Sequence, residues 1–569
     1  METRACQNCK QSFTIDNDDF AFYEKIKVPP PTFCPECRMI RRMIWRNSRS
    51  LHRRSCHLCA KTLISMYADE MTPVLCNECY NGTEFDPTQY AQEYDFTQSF
   101  FVQLKNLFQA VPRFYAYRFG NLVNSDYCNF AKDDKNCYLS YSTICSEDIQ
   151  YSEMVDYAKN SIDCFAIQKT DGCSYNIDCD GNYNTHFAVK SQNCLDSYFL
   201  YDCANCTNCC LSWGQRSGQY IFKNKKLTKE EYQEAVARLD LSTSSGWSRA
   251  KADFDAMLKH DAIHKYAFIY AAENATGDYI HHAKNAKRCF DSHDVENVAY
   301  STRAIEIKDC YDNTGVGFGA ELIYESMAAT QNTSSDYFCY LTIQGCRNCQ
   351  YSMILRNCNH CFGCVGLINA SYCIFNKQYS ESEYFEMIEK IKKHMDDMPY
   401  VDSMGRIFKY GEFFPHDMSP YGYNETNAHD FFPVSKDEAL AKGYPWRDRA
   451  KRDYAVTKQS AELPDAISDV SDTILQEVIT CPNNGNVDFQ CTTAYKITPD
   501  ELQFYRTKKL PLPRACPNCR HYERLHYRNK MRLYVRSCSN NCGRTFESTY
   551  TADRVEKVFC EECYQKEIM

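Results

Sequence analysis

The sequence predicts a multidomain, mainly β protein. Two cysteine-rich metal modules, one at each terminus, flank a duplicated, right-handed β-solenoid (β-helix-like) middle with short helices. Three observations carry this class. Many of the 36 cysteines recur as Cys-x-x-Cys pairs, the cysteine spacing of the N-terminal region returns near the C-terminus, and the middle repeats itself at a shift of 152 residues.

The terminal repeat comes first. The N-terminal block reads Cys6-x2-Cys9, x24, Cys34-x2-Cys37, x18, Cys56-x2-Cys59, x16, Cys76-x2-Cys79. The C-terminal block reads Cys481-x9-Cys491, x24, Cys516-x2-Cys519, x18, Cys538-x3-Cys542, x17, Cys560-x2-Cys563. Paired thiolates at such spacing suit zinc, a tetrahedral ion that soft anionic sulfur holds in closed structural sites. Sixteen cysteines supply four sites, so about four zinc ions per chain are expected. The sequential pairing is Cys6, Cys9, Cys34, Cys37; Cys56, Cys59, Cys76, Cys79; Cys481, Cys491, Cys516, Cys519; and Cys538, Cys542, Cys560, Cys563. A cross-braced pairing of alternate knuckles satisfies the spacing as well.

Bulk composition agrees with reduced thiols. The chain has 569 residues, 44% of them hydrophobic, which excludes a disordered chain. No apolar leader and no run of 18 apolar residues is seen, so the expected location is cytoplasmic, with no membrane partner. There, cysteines serve metals and packing more than disulfides. Residues 1–80 hold 12 Lys/Arg against 9 Asp/Glu, and residues 481–569 hold 15 against 10. With a net charge of −9, the middle carries −17. Basic ends around an acidic middle predict that a polyanion binds at the ends.

In the middle, Cys137 maps on Cys289, Cys194 on Cys346, Cys206 on Cys358 and Cys209 on Cys361. Each copy ends in a capping box, Thr228-x-x-Glu231 and Ser380-x-x-Glu383, which predicts helices over about 229–239 and 381–395. Runs such as Asn136-Cys137-Tyr138-Leu139-Ser140 and Asn193-Cys194-Leu195-Asp196-Ser197-Tyr198 recur at irregular steps of about 20–30 residues, in the period range of stacked coils. The expected organisation is a double zinc module at 1–85 and a helical connector at 86–120, with a helix near 95–111. Solenoid copies at 121–228 and 280–380 follow, separated by a helical segment at 229–279. A helix and connector at 381–480, with an apolar helix near 469–480, precede the second double zinc module at 481–569.

Cys6-Gln-Asn-Cys9, Phe13-Thr14-Ile15, Phe22-Tyr23, Pro31 and Cys34-Pro-Glu-Cys37-Arg38 resemble the zinc-ribbon, treble-clef-like family. Tyr495-Lys496-Ile497, Phe504-Tyr505, Pro513 and Cys516-Pro-Asn-Cys519-Arg520 repeat that resemblance. It covers about 40 residues at each end and implies structural zinc, with a helix opening at the second knuckle. The x9 loop after Cys481 departs from the family pattern. The whole layout resembles large zinc-binding proteins of candidate-phyla bacteria, a family that brings no established activity.

In such a helix, Arg38, Arg42 and Arg46 share one face, as do Arg520, Arg524 and Arg528. With Trp45, Arg54, Tyr527 and Arg536 they form the candidate nucleic-acid surface, RNA or DNA, with an aromatic for base stacking. The competing readings are docking on the acidic middle, or a solvated face. The twenty middle cysteines fit either a ladder of small buried side chains or an iron–sulfur or other redox metal site. His360 is the best additional ligand there. No catalytic motif is present, so an enzyme is the weaker expectation. Asp171, Asp178 and Asp180, or His281, His282 and His293 with Asp291 and Asp294, are the groups a solenoid enzyme acting on a polysaccharide would use. The leading expectation is a non-catalytic zinc-binding scaffold, with a protein partner on the solenoid and nucleic acid or a ribonucleoprotein at the ends.

Overall fold

A computed structural model describes residues 1–68, 73–448 and 454–568. The chain is mainly β and multidomain, with one large 11-stranded sheet. In that sheet the strands from Asn129 to Phe222 run parallel with paired residues twelve apart, while the edge strand Lys225–Lys226 turns back antiparallel and Arg118 pairs thirteen on with Ala131. Asn129 pairs with Tyr141, Tyr141 with Glu153, Glu153 with Phe165, and Phe165 with Ile177. Farther along, His186 pairs with Tyr198 and Tyr198 with Cys210. The second copy keeps the pattern, with His293 on Ile305 and Asn359 on Ser371, and slips to thirteen where Tyr311 meets Tyr324.

The backbone explains the short step. From Phe130 to Lys223 every third residue has φ near +50 to +60°, the left-handed region. Twelve residues per step with one such residue in three gives four corners per turn. Asn and Asp tolerate that conformation better than other residues with a Cβ, which is why Asp133, Asn136, Asp148, Asn160 and Asp163 stand there. Asn124 donates to Asn136 at 3.1 Å, and Asn136 to Asp148 at 3.0 Å, so exposed corners are also tied from turn to turn.

The residue after each corner points inward. Cys137, Ser140, Thr143, Ser146, Ile149, Ser152, Val155 and Ala158 follow one another at this spacing, and all are buried. A turn of four three-residue sides encloses little space, so the interior takes small side chains. Cys164 Sγ lies 3.4 Å from the Ile162 carbonyl and 3.9 Å from that of Cys173, while Ser140 Oγ donates to Tyr138 and Ile149 in the same pattern. Cysteine and serine thus do one job inside the ladder. All the middle cysteines except exposed Cys145 and outward-packed Cys210 occupy such inward positions. The irregular step of 20–30 residues expected from the sequence is corrected to twelve, because the repeating unit is a three-residue corner rather than an aromatic run.

Helices at the ladder ends follow their caps. Thr228 and Ser380 each close a capping box and head Lys229–Ala237 and Glu381–Asp397. The connector helix spans Phe100–Ala110 and buries Phe100, Leu104, Leu107 and Phe108. Phe96 lies before it and is exposed. Two expectations fail. The segment 229–279 is helical only to His260, since the strand Ile269–Ala299 already belongs to the second ladder. In place of an α-helix near 469–480 stand the 3-10 turns Ile467–Asp469 and Asp472–Gln476 and the strand Ile479–Thr480, with Ile467, Val470 and Ile474 packed against the C-terminal module. No described helix is long and apolar enough to cross a membrane.

Candidate metal centres and the arginine clasp

Each end of the chain uses the same local device twice. A short antiparallel hairpin presents one cysteine pair in its turn, and a second pair stands at the head of a helix. Glu2–Ala5 and Ser12–Ile15 frame Cys6 and Cys9, and Cys34 and Cys37 head Pro35–Met43. His52–Ser55 and Thr62–Ser65 frame Cys56 and Cys59, and Cys76 and Cys79 head Asn77–Tyr80. The C-terminal pairs sit likewise at Pro517–Leu525 and Glu561–Ile568. Proline at the first helical position suits both larger helices, because its missing N–H would have no partner there.

The sixteen cysteines fall into four groups in sequential order, with the ligand atoms of each group within 4.8 Å of one another. Cys481 joins its group despite the nine-residue loop before Cys491. The fit to a metal is testable by distance. A tetrahedral ion with sulfur at ~2.3 Å sets neighbouring sulfurs about 3.8 Å apart. The Cys9–Cys34 and Cys59–Cys76 sulfurs are 3.8 Å apart, and Cys481–Cys519 and Cys542–Cys560 are 3.7 Å apart. All these thiols are free of disulfide bonds. Backbone amides point at the sulfurs: Cys34 N donates to Cys6 at 3.2 Å, Cys76 N to Cys56 at 3.3 Å and Cys516 N to Cys481 at 3.4 Å. Such donors favour thiolate. Four thiolates cannot all keep their charge without a cation. In the first group, hydrogen bonding from Cys34 and Cys37 drives Cys6 far down, while the same contacts and burial push Cys37 far up.

The arginines of the knuckle helices face inward, which corrects the nucleic-acid surface expected from the sequence. Arg38, Arg42 and Arg46 are 2%, 0% and 5% exposed, and Trp45 is fully buried against Phe108, Tyr340 and Phe414. Arg38 Nε donates to Asp312 at 2.9 Å. Arg41 donates to both oxygens of Glu325 at 2.8 and 2.7 Å and to Glu412 at 2.8 Å. Arg42 lies 3.3 Å from Asp312 and donates to the Tyr300 carbonyl. Burial opposes the Arg38 charge, yet Asp312 holds its pKa well above the ordinary value. Arg46 donates to Ser142 and lies over the Phe130 ring; burial holds its pKa well below the ordinary value.

The C-terminal helix repeats the device on the other copy. Arg520 Nε is 3.2 Å and Arg524 Nη1 2.7 Å from Asp163, and Arg520 also meets Glu501 at 3.0 Å. Arg528, its side chain 4% exposed, meets Asp178 at 3.0 Å in the first ladder and Asp291 in the second. Tyr527 donates to Asp255. Arg54 and Arg536 bond backbone carbonyls inside their own modules, at Ala68 and at Thr551 and Glu556. The docking is largely crossed: Arg38, Arg41 and Arg42 grip the second copy and Arg520 and Arg524 the first, while Arg46 reaches Ser142 of the first copy and Arg528 bridges to Asp291 of the second.

The remaining expected residues separate. Asp178 and Asp291 are held by Arg528, whereas Asp171 sits on an outer corner ladder accepting from Asn160. His293 and His282 lie 3.0 and 3.6 Å from opposite oxygens of Asp294 on the outside of the second ladder. His360 stacks on Tyr372, twelve residues on, at 5.1 Å and faces away from the inward cysteines. Sequence reasoning missed the carboxylates that receive the arginines: nothing local marks Asp163, Asp312, Glu325 or Glu412, whose partners lie hundreds of residues away, and Glu501, only 19 residues from Arg520, stands in a capping box that explains it without a partner. No family model matches the chain, and no curated protein matches it either.

Proposed function

We propose that the chain is a non-catalytic, zinc-dependent scaffold. On this reading the twelve-residue ladders are a duplicated β-solenoid, and the termini are treble-clef-like modules whose zinc sets the angle of each arginine helix. The observation that carries it is the direction of those helices: their guanidiniums are spent on buried carboxylates of the solenoid, so the modules act as clasps. The knuckle–hairpin–helix order and the sulfur spacing support zinc as the ion.

The face left open for a partner is the outer side of the first ladder. Lys135, Glu147 and Lys159 form a charged row there, bonded Lys135 to Glu147 at 2.5 Å. Tyr183 and Leu195 continue the same row, and both are exposed. A partner with an extended, mixed polar and aromatic surface fits such a regular face.

Nucleic-acid binding at the basic ends loses its two arginine rows, Arg38, Arg42 and Arg46 and Arg520, Arg524 and Arg528, since a buried guanidinium has no phosphate to reach. The polysaccharide-enzyme reading loses the carboxylates chosen for it, since Arg528 neutralises Asp178 and Asp291 and Asp171 accepts from Asn160 on an outer row. The experiment is hydrogen exchange on the full chain with and without a zinc chelator. The scaffold reading expects exchange to rise around Asp163 and Asp312 as well as in the modules. A rise confined to the modules would remove it.

A further inference from the structure

Outside the thiolate groups, one cluster of donor atoms sits where four parts of the chain meet. Glu153 comes from the first ladder and Asp430 from the connector helix Asn427–Phe431. His521 comes from the C-terminal knuckle helix, and Arg49 of the N-terminal module stands beside them. One ligand atom from each of Glu153, Asp430 and His521 lies within 4.8 Å of the others. Glu153 Oε2 is 3.8 Å from His521 Nε2 and 3.8 Å from Arg49 Nη1.

The cluster is built but incomplete. Asp430 is held by Tyr522, which donates to Oδ1 at 2.9 Å, and by Asn427, which donates to Oδ2 at 3.0 Å. Asn427 also reaches Glu153 Oε1 at 3.5 Å. Glu153 is 1% exposed and His521 0%, yet Glu153 Oε2 and both ring nitrogens of His521 have no hydrogen-bond partner. Leaving such groups buried and unpaired is costly. The position does not demand a polar residue either. The matching place in the N-terminal helix, two residues after the second knuckle, is Met39, which is buried.

We propose that Glu153, Asp430 and His521 hold a divalent first-row cation, a fifth metal site of a different class from the thiolate sites. Two carboxylates and an imidazole are hard to borderline donors, suited to Mn2+, Fe2+ or Zn2+. Bonds of about 2.0–2.2 Å would draw Glu153 Oε2 and His521 Nε2 together by about 1 Å or less from their present 3.8 Å, with Asp430 closing from within 4.8 Å. Arg49 offsets one of the two carboxylate charges and leaves the other for the ion. Bound there, the ion fastens the C-terminal module, the connector and the first ladder to one another.

The test uses the full chain, stripped of metal, reloaded with four equivalents of Zn2+ and then titrated with Mn2+, which thiolate sites disfavour. Wild type is expected to bind one Mn2+ by EPR, with one imidazole nitrogen coupled to it in pulsed spectra. Glu153→Gln and His521→Met are expected to bind none while keeping four zinc ions by native mass spectrometry. Wild type leaving all Mn2+ free, or both variants binding it as wild type does, overturns the proposal. A zinc count below four would instead count against the thiolate sites, so the two readings fail separately.

Discussion

Arg38 Nε donates to Asp312 Oδ1 across 2.9 Å with neither side chain more than 2% exposed, joining the first cysteine module to a ladder strand 274 residues away. A pair so deeply buried is worth little relative to an apolar pair of the same shape, but breaking it leaves a charge stranded. Asp312→Ala is therefore expected to cost about 3–5 kcal/mol, because Arg38 and Arg42 both lose it. Chemical denaturation of the variant beside Arg38→Met checks this. The double variant Arg38→Met, Asp312→Leu should recover only the part owed to Arg38, because Arg42 is left with Glu325 at 3.5 Å and the Tyr300 carbonyl.

Removal of zinc should unfold both ends. Each site is expected to contribute on the order of 10 kcal/mol of folding free energy to a module with little core of its own. One Cys→Ser change per group, at Cys9, Cys59, Cys516 and Cys560, should lower the bound metal by one ion each time, read by native mass spectrometry. A loss of two ions from one change would show that the groups share ligands.

Inside the ladders, thiol and hydroxyl are near equivalents. Cys164→Ser keeps the contacts to the Ile162 and Cys173 carbonyls and is expected to change stability by no more than about 1 kcal/mol. Cys164→Leu overfills the turn and should cost about 1–3 kcal/mol or more. Thermal melts of the two variants separate packing from any special sulfur chemistry. Burial pushes the thiols of Cys128, Cys173, Cys289 and Cys310 up to about 12, so they should stay unmodified by alkylating reagents at neutral pH while the chain is folded.

Asp134 gives a pH signature of defined sign. It occupies an inward position, where it accepts from Thr143 and from the Ser146 amide at 3.0 Å, and burial raises its pKa from 3.8 to about 6. The folded state therefore binds its proton more tightly than the unfolded chain. This stabilisation is present at low pH and is lost as pH rises through about 6. Asp134→Asn, the residue type found inward at Asn176 and Asn182, should stabilise the protein at pH 7 by at most about 3 kcal/mol. The gain over wild type should vanish toward pH 4, as measured by denaturation across that range.

The four cysteine groups were legible in the sequence because their members are close in number and keep the spacing a tetrahedral ion requires. The helix after Cys34 and the caps at Thr228 and Ser380 were legible for the same local reason. The twelve-residue turn was not, although its mark is present: Asn136-Cys137, Asp163-Cys164 and Asn193-Cys194 are each a left-handed corner followed by an inward thiol. Aromatic residues on the outer faces drew attention away from the small residue in every third place. The arginine rows were seen, but their direction depended on Asp163, Asp312 and Glu325, which only the assembled fold brings to them. The same holds for Glu153, Asp430 and His521, which lie on three separate segments.

Crossed docking also imposes an order of events on a growing chain. As translation proceeds, the first cysteine lobe emerges with Arg38, Arg41 and Arg42 and meets none of its acids until Asp312, Glu325 and finally Glu412 have been made. Its cysteines can capture metal at once, but its helix has nothing to close upon for most of synthesis. The C-terminal lobe, by contrast, finds Asp163 already waiting as it leaves the ribosome.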